Sequence, residues 1–149
     1  YNMSDINAAL GIHQLKKVNR FLDLRKRYVA LYDEAFRDIG ELQTLQRLDY
    51  TQHAHHLYVI ALCLEKLTVT RDEFLSAMQT AGIGVAVHFS ALHLQPLYRK
   101  EHGTKPEDLP VATHYSERIL SLPLYPKMST ADIERVIHTV TTLIAKYRR

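Results

Sequence analysis

The residues best suited to chemistry in this sequence are its histidines and one cysteine. Nine histidines occur in 149 residues, and five of them form two groups, His53, His55 and His56, then His88 with His93. An imidazole can ligate a metal, move a proton near neutral pH, or donate a hydrogen bond while uncharged. A catalytic zinc takes about three protein ligands. On an extended strand His53 and His55 would face one side and His56 the other, so two of the three could share an ion. The spacing requires neither His88 nor a distant carboxylate to complete the set, and no metal site is assigned. Cys63 has no partner for an internal disulfide. A nucleophilic cysteine needs an exposed, electropositive setting. Cys63 stands instead in the apolar run VIALCL and reads as a small buried hydrophobe of a reducing compartment. No glycine-rich phosphate loop, Gly-x-Ser-x-Gly elbow or Cys-x-x-Cys pair occurs.

These side chains must be positioned by a chain whose length fits one domain, in which about two thirds of the unfolded surface can be buried. Apolar residues make up 46% and charged residues 23%, ordinary values for a globular fold. No apolar stretch reaches the roughly 18 to 20 residues of a membrane span. No basic segment followed by an apolar one opens the chain, so the expected compartment is the cytoplasm. The net charge of +3 and pI near 9.0 are mild. Lys16, Lys17, Arg20, Arg25, Lys26 and Arg27 concentrate positive charge early, but Asp23, Asp33, Glu34 and Asp38 dilute it. Without an aromatic-and-glycine signature this reads as a solvated helix face, and nucleic acid is not an expected partner.

The spacing predicts one helix over residues 4–39. Ser4 is its N-cap, Asp5 lies in its first turn, and Gly40 is a plausible C-cap. Leu15, Val18, Leu22, Val29, Tyr32 and Phe36 recur at steps of three and four, with Arg25 alone interrupting the stripe. Such a helix would be about 54 Å long at about 1.5 Å per residue. A domain of this size is about 38 Å across, so the helix must kink, with Gly11 the favoured place, or project onto material outside this chain. Ala8, Ala9, Leu10 and Ile12 would then meet a large domain or a second subunit. Strands are predicted over residues 43–50, 56–64 and 84–89. Further helices are predicted over 70–81 (Thr70 as cap, Gly82 as stop), 111–120 and from Ser129 or Thr130 through Tyr147. Residues 90–109 read as a loop of a length that usually carries function. The whole describes an α/β two-layer domain, and a chain opening on Tyr1 in mid-motif is expected to be part of something longer.

Four collinear segments then carry a resemblance: YNMSDINAALGIHQLKKV (residues 1–18), HAHHLYVIAL (53–62), RDEFLSAMQTAGIGVAVHFSALHLQPLY (71–98) and YSERILSLPLYPKMSTADIERVI (115–137). In order and spacing they resemble the C-terminal domain of the DegT/DnrJ/StrS-type sugar aminotransferases, across nearly the whole chain. The Tyr-Asn-Met-Ser-Asp-Ile-Asn form and the Gly-Ile-Gly-x-x-x-His-Phe segment are most similar to the ArnB-type enzymes, which aminate a UDP-linked 4-keto-pentose using glutamate.

The resemblance implies a small C-terminal domain of a fold type I transferase dependent on pyridoxal phosphate. Residues 1–40 would link it to a missing large domain, residues 41–149 would form the small α/β unit, and the parent would be a homodimer. The lysine that carries the cofactor lies in the large domain of such enzymes. Lys16 and Lys17 lack its context, so no catalytic residue is assigned here. By the same resemblance Asn2 stands beside the cofactor region, and His88, Phe89 and His93 belong to the segment that approaches the nucleotide-linked keto-sugar. Tyr125, between Pro123 and Pro126, reads as a rigid turn, and His56 as a strand histidine. Two rivals are a sugar dehydratase of the same fold, in which histidine replaces that lysine, and a stand-alone binding or dimerisation module.

Overall fold

The computed structural model describes residues 2–149; Tyr1 lies outside them. Helix α1 (Asp5–Leu15) begins as expected, with the Asn7 amide donating to Ser4 Oγ at 3.4 Å. It does not run on to Ile39. The helix passes straight through Gly11 and breaks at Lys16–Lys17, and α2 (Val18–Phe36) follows. The two lysines, together with His13 in the last turn, suit the negative end of the α1 dipole. Gly40 keeps an ordinary backbone, since only Gly82 and Gly103 among the glycines have positive φ.

A three-stranded antiparallel sheet follows, in the order β1 (Leu42–Thr44), β2 (Tyr58–Leu62), β3 (Ile119–Leu122). Its register sets Leu42 opposite Leu62, Ile60 opposite Leu120 and Val59 opposite Ser121. Alternation then places Tyr58, Ile60, Leu62, Leu120 and Leu122 on one face. Three helices cover that face: α2 with Tyr32 and Phe36, α3 (Arg71–Thr80) with Phe74 and Met78, and α6 (Thr130–Tyr147) with Ile133, Val136, Val140 and Ile144. The Tyr32 and Tyr58 rings meet at 4.7 Å, joining the helix layer to the sheet. This is the expected mixed, two-layer fold.

The other boundaries differ from the sequence reading. The strand expected over 43–50 is three residues long, because the chain leaves the sheet after Thr44 and residues 45–57 run as a loop. The strand expected over 84–89 reduces to a single bridge, Ala86 against Ser121. The segment 90–109 holds a helix, α4 (Pro96–His102), opened by proline and closed by Gly103 in a left-handed conformation. The helix expected over 111–120 is α5 (Pro110–Ser116), and its expected last residues are instead β3. The apolar ILSL run satisfies either period over so few residues, and pairing with β2 decides it.

Helices α3 and α6 are bounded as their sequences dictate. Thr70 and Glu73, then Ser129 and Asp132, form reciprocal capping boxes. Gly82, at φ 76°, ends α3, where the Gly82 amide donates a hydrogen bond to Gln79 O and the Ile83 amide donates one to Met78 O.

Candidate functional site

The C-terminal end of α3 delivers the chain to the free edge of β3. There Ala86 and Ser121 exchange backbone hydrogen bonds, with the Ser121 amide donating to Ala86 O at 2.8 Å. Two residues on, His88 turns its ring back over the strand, with Nδ1 3.0 Å from Ser121 Oγ. Ser121 pairs with Val59 and so lies on the sheet face opposite the helices, where it is only 4% exposed. His88 Nε2 has no protein partner among the described residues and is not among their buried unpaired atoms, so it reaches solvent. The Phe89 ring stands edge-on to His88 at 5.1 Å and is 77% exposed. A half-buried imidazole with one free nitrogen thus sits beside an open aromatic surface. Such a pair can donate to, or accept from, a polar ligand while packing against its apolar side.

His93 has different surroundings. It is 6% exposed, and Nε2 lies 3.0 Å from Thr113 Oγ1. The Thr113 hydroxyl donates its single proton to Pro106 O, so it accepts from His93, whose proton is thereby held on Nε2. Thr104 donates to the His93 carbonyl, and the Ala91 amide donates to Ser116 Oγ. His93 therefore ties residues 91–113 together. Asn2 is exposed ahead of α1 and shares no hydrogen bond with residues 88–93 among the described residues.

The His53 group is in a loop and not on a strand. His55 has φ 49°, its amide donates to His53 Nδ1 at 2.9 Å, and the two rings are 4.8 Å apart. Burial and the neighbouring His53 hold His55 below the usual histidine pKa. His56 is exposed, and its role passes through its backbone. One nitrogen of Arg25 donates to the carbonyls of His55, His56 and Leu124, at 2.9, 2.9 and 3.0 Å. Arg25, the interruption in the apolar stripe of α2, joins this loop to the turn containing Tyr125, which is half exposed. Among the described residues no group of three or more His, Cys, Asp or Glu side chains could hold a metal ion. No described helix is long and apolar enough to cross a membrane.

Sequence reasoning missed Ser121, Thr113 and Arg25 as partners of the site. A serine interrupting an apolar run was visible, but only the β3 register shows which histidine it meets.

A family model, the DegT/DnrJ/EryC1/StrS aminotransferase family, matches residues 1–141. The spore coat polysaccharide biosynthesis protein SpsC of Bacillus subtilis is 42% identical over 144 residues, which are 96% of this chain and 37% of SpsC. Spr1654 of Streptococcus pneumoniae, described as a sugar aminotransferase and solved in a PMP form, matches with a TM-score of 0.88 and 30% identity over 97% of this chain and 36% of its own. PseC of Helicobacter pylori, an aminotransferase of pseudoaminic acid biosynthesis, shares the fold at a TM-score of 0.89 with 24% identity over 99% of this chain and 39% of its own. The chain thus spans well under half the length of the relatives it matches. With a fold shared over nearly its whole length and a family match from its first motif into α6, the chain belongs to the DegT/DnrJ/EryC1/StrS aminotransferase family.

Proposed function

We propose that this chain is the small domain of a longer sugar aminotransferase, in which it forms one wall of the site where a nucleotide-linked keto-sugar receives an amino group originating from glutamate. Residues 1–40 would connect it to the large domain, and residues 41–149 would be the domain proper. The parent would be a cytoplasmic homodimer. The observation that carries this reading is His88, an imidazole fixed at one nitrogen to a rigid strand and open at the other, next to the exposed Phe89 ring. A neutral imidazole can hydrogen-bond a sugar hydroxyl or a phosphate oxygen, and an open ring can pack on a sugar or base. His93 would contribute by holding the segment behind them.

The cofactor of this chemistry, pyridoxal phosphate, does not fit a seat made by this chain alone. A lysine that carries it needs a desolvated setting that favours the free amine. All eight lysines here are exposed: Lys16, Lys17, Lys26, Lys66, Lys100, Lys105, Lys127 and Lys146. Its residues would therefore come from the large domain, with the exposed amide of Asn2 reaching it from this side. Support also comes from α1. Its apolar residues are spread around the helix, yet Ile6, Leu10, Ile12 and Leu15 are all more than half exposed. A helix that is apolar on several sides is normally covered on several sides, here by the large domain and the second subunit.

The test is to mix pyridoxal phosphate with the 149-residue chain and, separately, with the longer protein, then to reduce with borohydride and map adducts. A stoichiometric adduct on one lysine is expected in the longer protein alone. A stoichiometric adduct on one lysine of the short chain would contradict the reading.

A further inference from the structure

We infer that Ser121 is a positioning residue for His88: it holds the neutral imidazole in the tautomer that carries its proton on Nε2, so that the open nitrogen presents a donor to an acceptor oxygen of the ligand. The inference rests on the proposed sugar site only for what it says of the ligand. The tautomer follows from hydrogen-bond bookkeeping. Ser121 is buried on β3, and its hydroxyl has one proton to place. Among the described residues its only hydrogen-bond partner is His88 Nδ1, at 3.0 Å. A buried hydroxyl that gives up its only acceptor leaves an unmet polar group, which is costly. The hydroxyl therefore donates to Nδ1, and the neutral ring must carry its hydrogen on Nε2.

The backbone reinforces the side chain. The same Ser121 anchors the 86–88 segment through its own amide and carbonyl, so ring and main chain are registered to one residue. In Val59↔Ser121 the pairing with β2 fixes the other side of the serine. The imidazole thus leans on a strand paired with β2 along one edge and bridged at the other, through Ala86, to the segment that carries His88. A donor at Nε2 selects sugar hydroxyl, carbonyl or phosphate oxygens over groups that can only donate.

Imidazole 15N NMR of the longer protein, with His88 assigned by its loss in His88→Gln, reads the tautomer directly. The wild type is expected to show Nε2 as the protonated nitrogen, Ser121→Ala to show a mixture, and Ser121→Thr to restore the single form. Ser116→Ala is the control, because that serine is also buried but binds the Ala91 amide. It should leave the His88 signals unchanged whatever it does to the melting temperature. An unchanged His88 tautomer in Ser121→Ala, or a wild type protonated at Nδ1, overturns the inference. Turnover of UDP-4-keto-pentose by Ser121→Ala is the second arm, where a fall of about 2- to 10-fold is expected for one neutral hydrogen bond. A changed tautomer with unchanged turnover upholds the role of Ser121 and overturns the placement of His88 against the sugar.

Discussion

At the scale of single residues, the polar groups that interrupt apolar runs carry much of the organisation. Arg25 sits on the core-facing side of α2, and its guanidinium gathers three carbonyls from two separate segments. Replacing it with methionine keeps most of the stem and removes charge-assisted bonds that are worth about 1.5 to 3 kcal/mol in total. Arg25→Met is therefore expected to lower stability by that amount in urea titration. It should also speed amide exchange in residues 53–57 and 122–126 while leaving α6 protected. A second case is Glu41, 8% exposed, where Arg148 is hydrogen-bonded to the carboxylate and holds its pKa below the usual range. Because the folded value is depressed, its contribution is present above the ordinary carboxylate pKa of 4.5 and is lost as pH falls through the lower folded value. Melting temperature should fall on acidification from about pH 5 downward, and Glu41→Gln should flatten part of that slope. An unchanged slope in the variant would remove Glu41 from the acid response. Arg25 was visible in the sequence only as a break in a pattern, since nothing local names carbonyls 30 and 99 residues away.

At the scale of elements, legibility followed the strength of the local signal. The capping boxes of α3 and α6 are written in adjacent residues, and both helices began where Thr70 and Ser129 place them. Thr70→Ala and Ser129→Ala should each cost about 0.5 to 2 kcal/mol. The double variant should show their sum, because the caps belong to different helices and share no partner. A markedly non-additive double variant would mean that the two helix starts are coupled. Strand β3 and helix α4 differ from the sequence reading, as do the strands expected over 43–50 and 84–89. ILSL is too short for its periodicity to separate helix from strand, and its identity comes from β2, 57 or more residues earlier. The same misreading hid Ser121, and with it the anchor of His88. Helix α4 begins at Pro96, which favours a first turn, but Pro96, Gly103 and Pro106 together give the sequence signal of a loop. The break at Lys16–Lys17 was also unmarked, since neither residue stops a helix by itself.

At the scale of the whole molecule, the fold is a sheet covered on one face by α2, α3 and α6, with α1 standing clear of the core. On the opposite sheet face Ser121 pairs with Val59, and at the sheet's edge it holds His88. The central claim is that His88 serves the sugar end of a longer enzyme. It is tested most directly by single-turnover kinetics of the two half-reactions in that longer protein, comparing wild type with His88→Ala. Glutamate carries neither the sugar hydroxyls nor the phosphates that His88 is proposed to bind, so its half-reaction should be nearly unchanged. The keto-sugar half-reaction should fall in kcat/KM by about 2- to 150-fold, the range spanned by a lost neutral hydrogen bond and a lost bond to a charged phosphate. Equal losses in both half-reactions, or a lower melting temperature with unchanged kinetics in both, would contradict the account and leave His88 a purely structural residue.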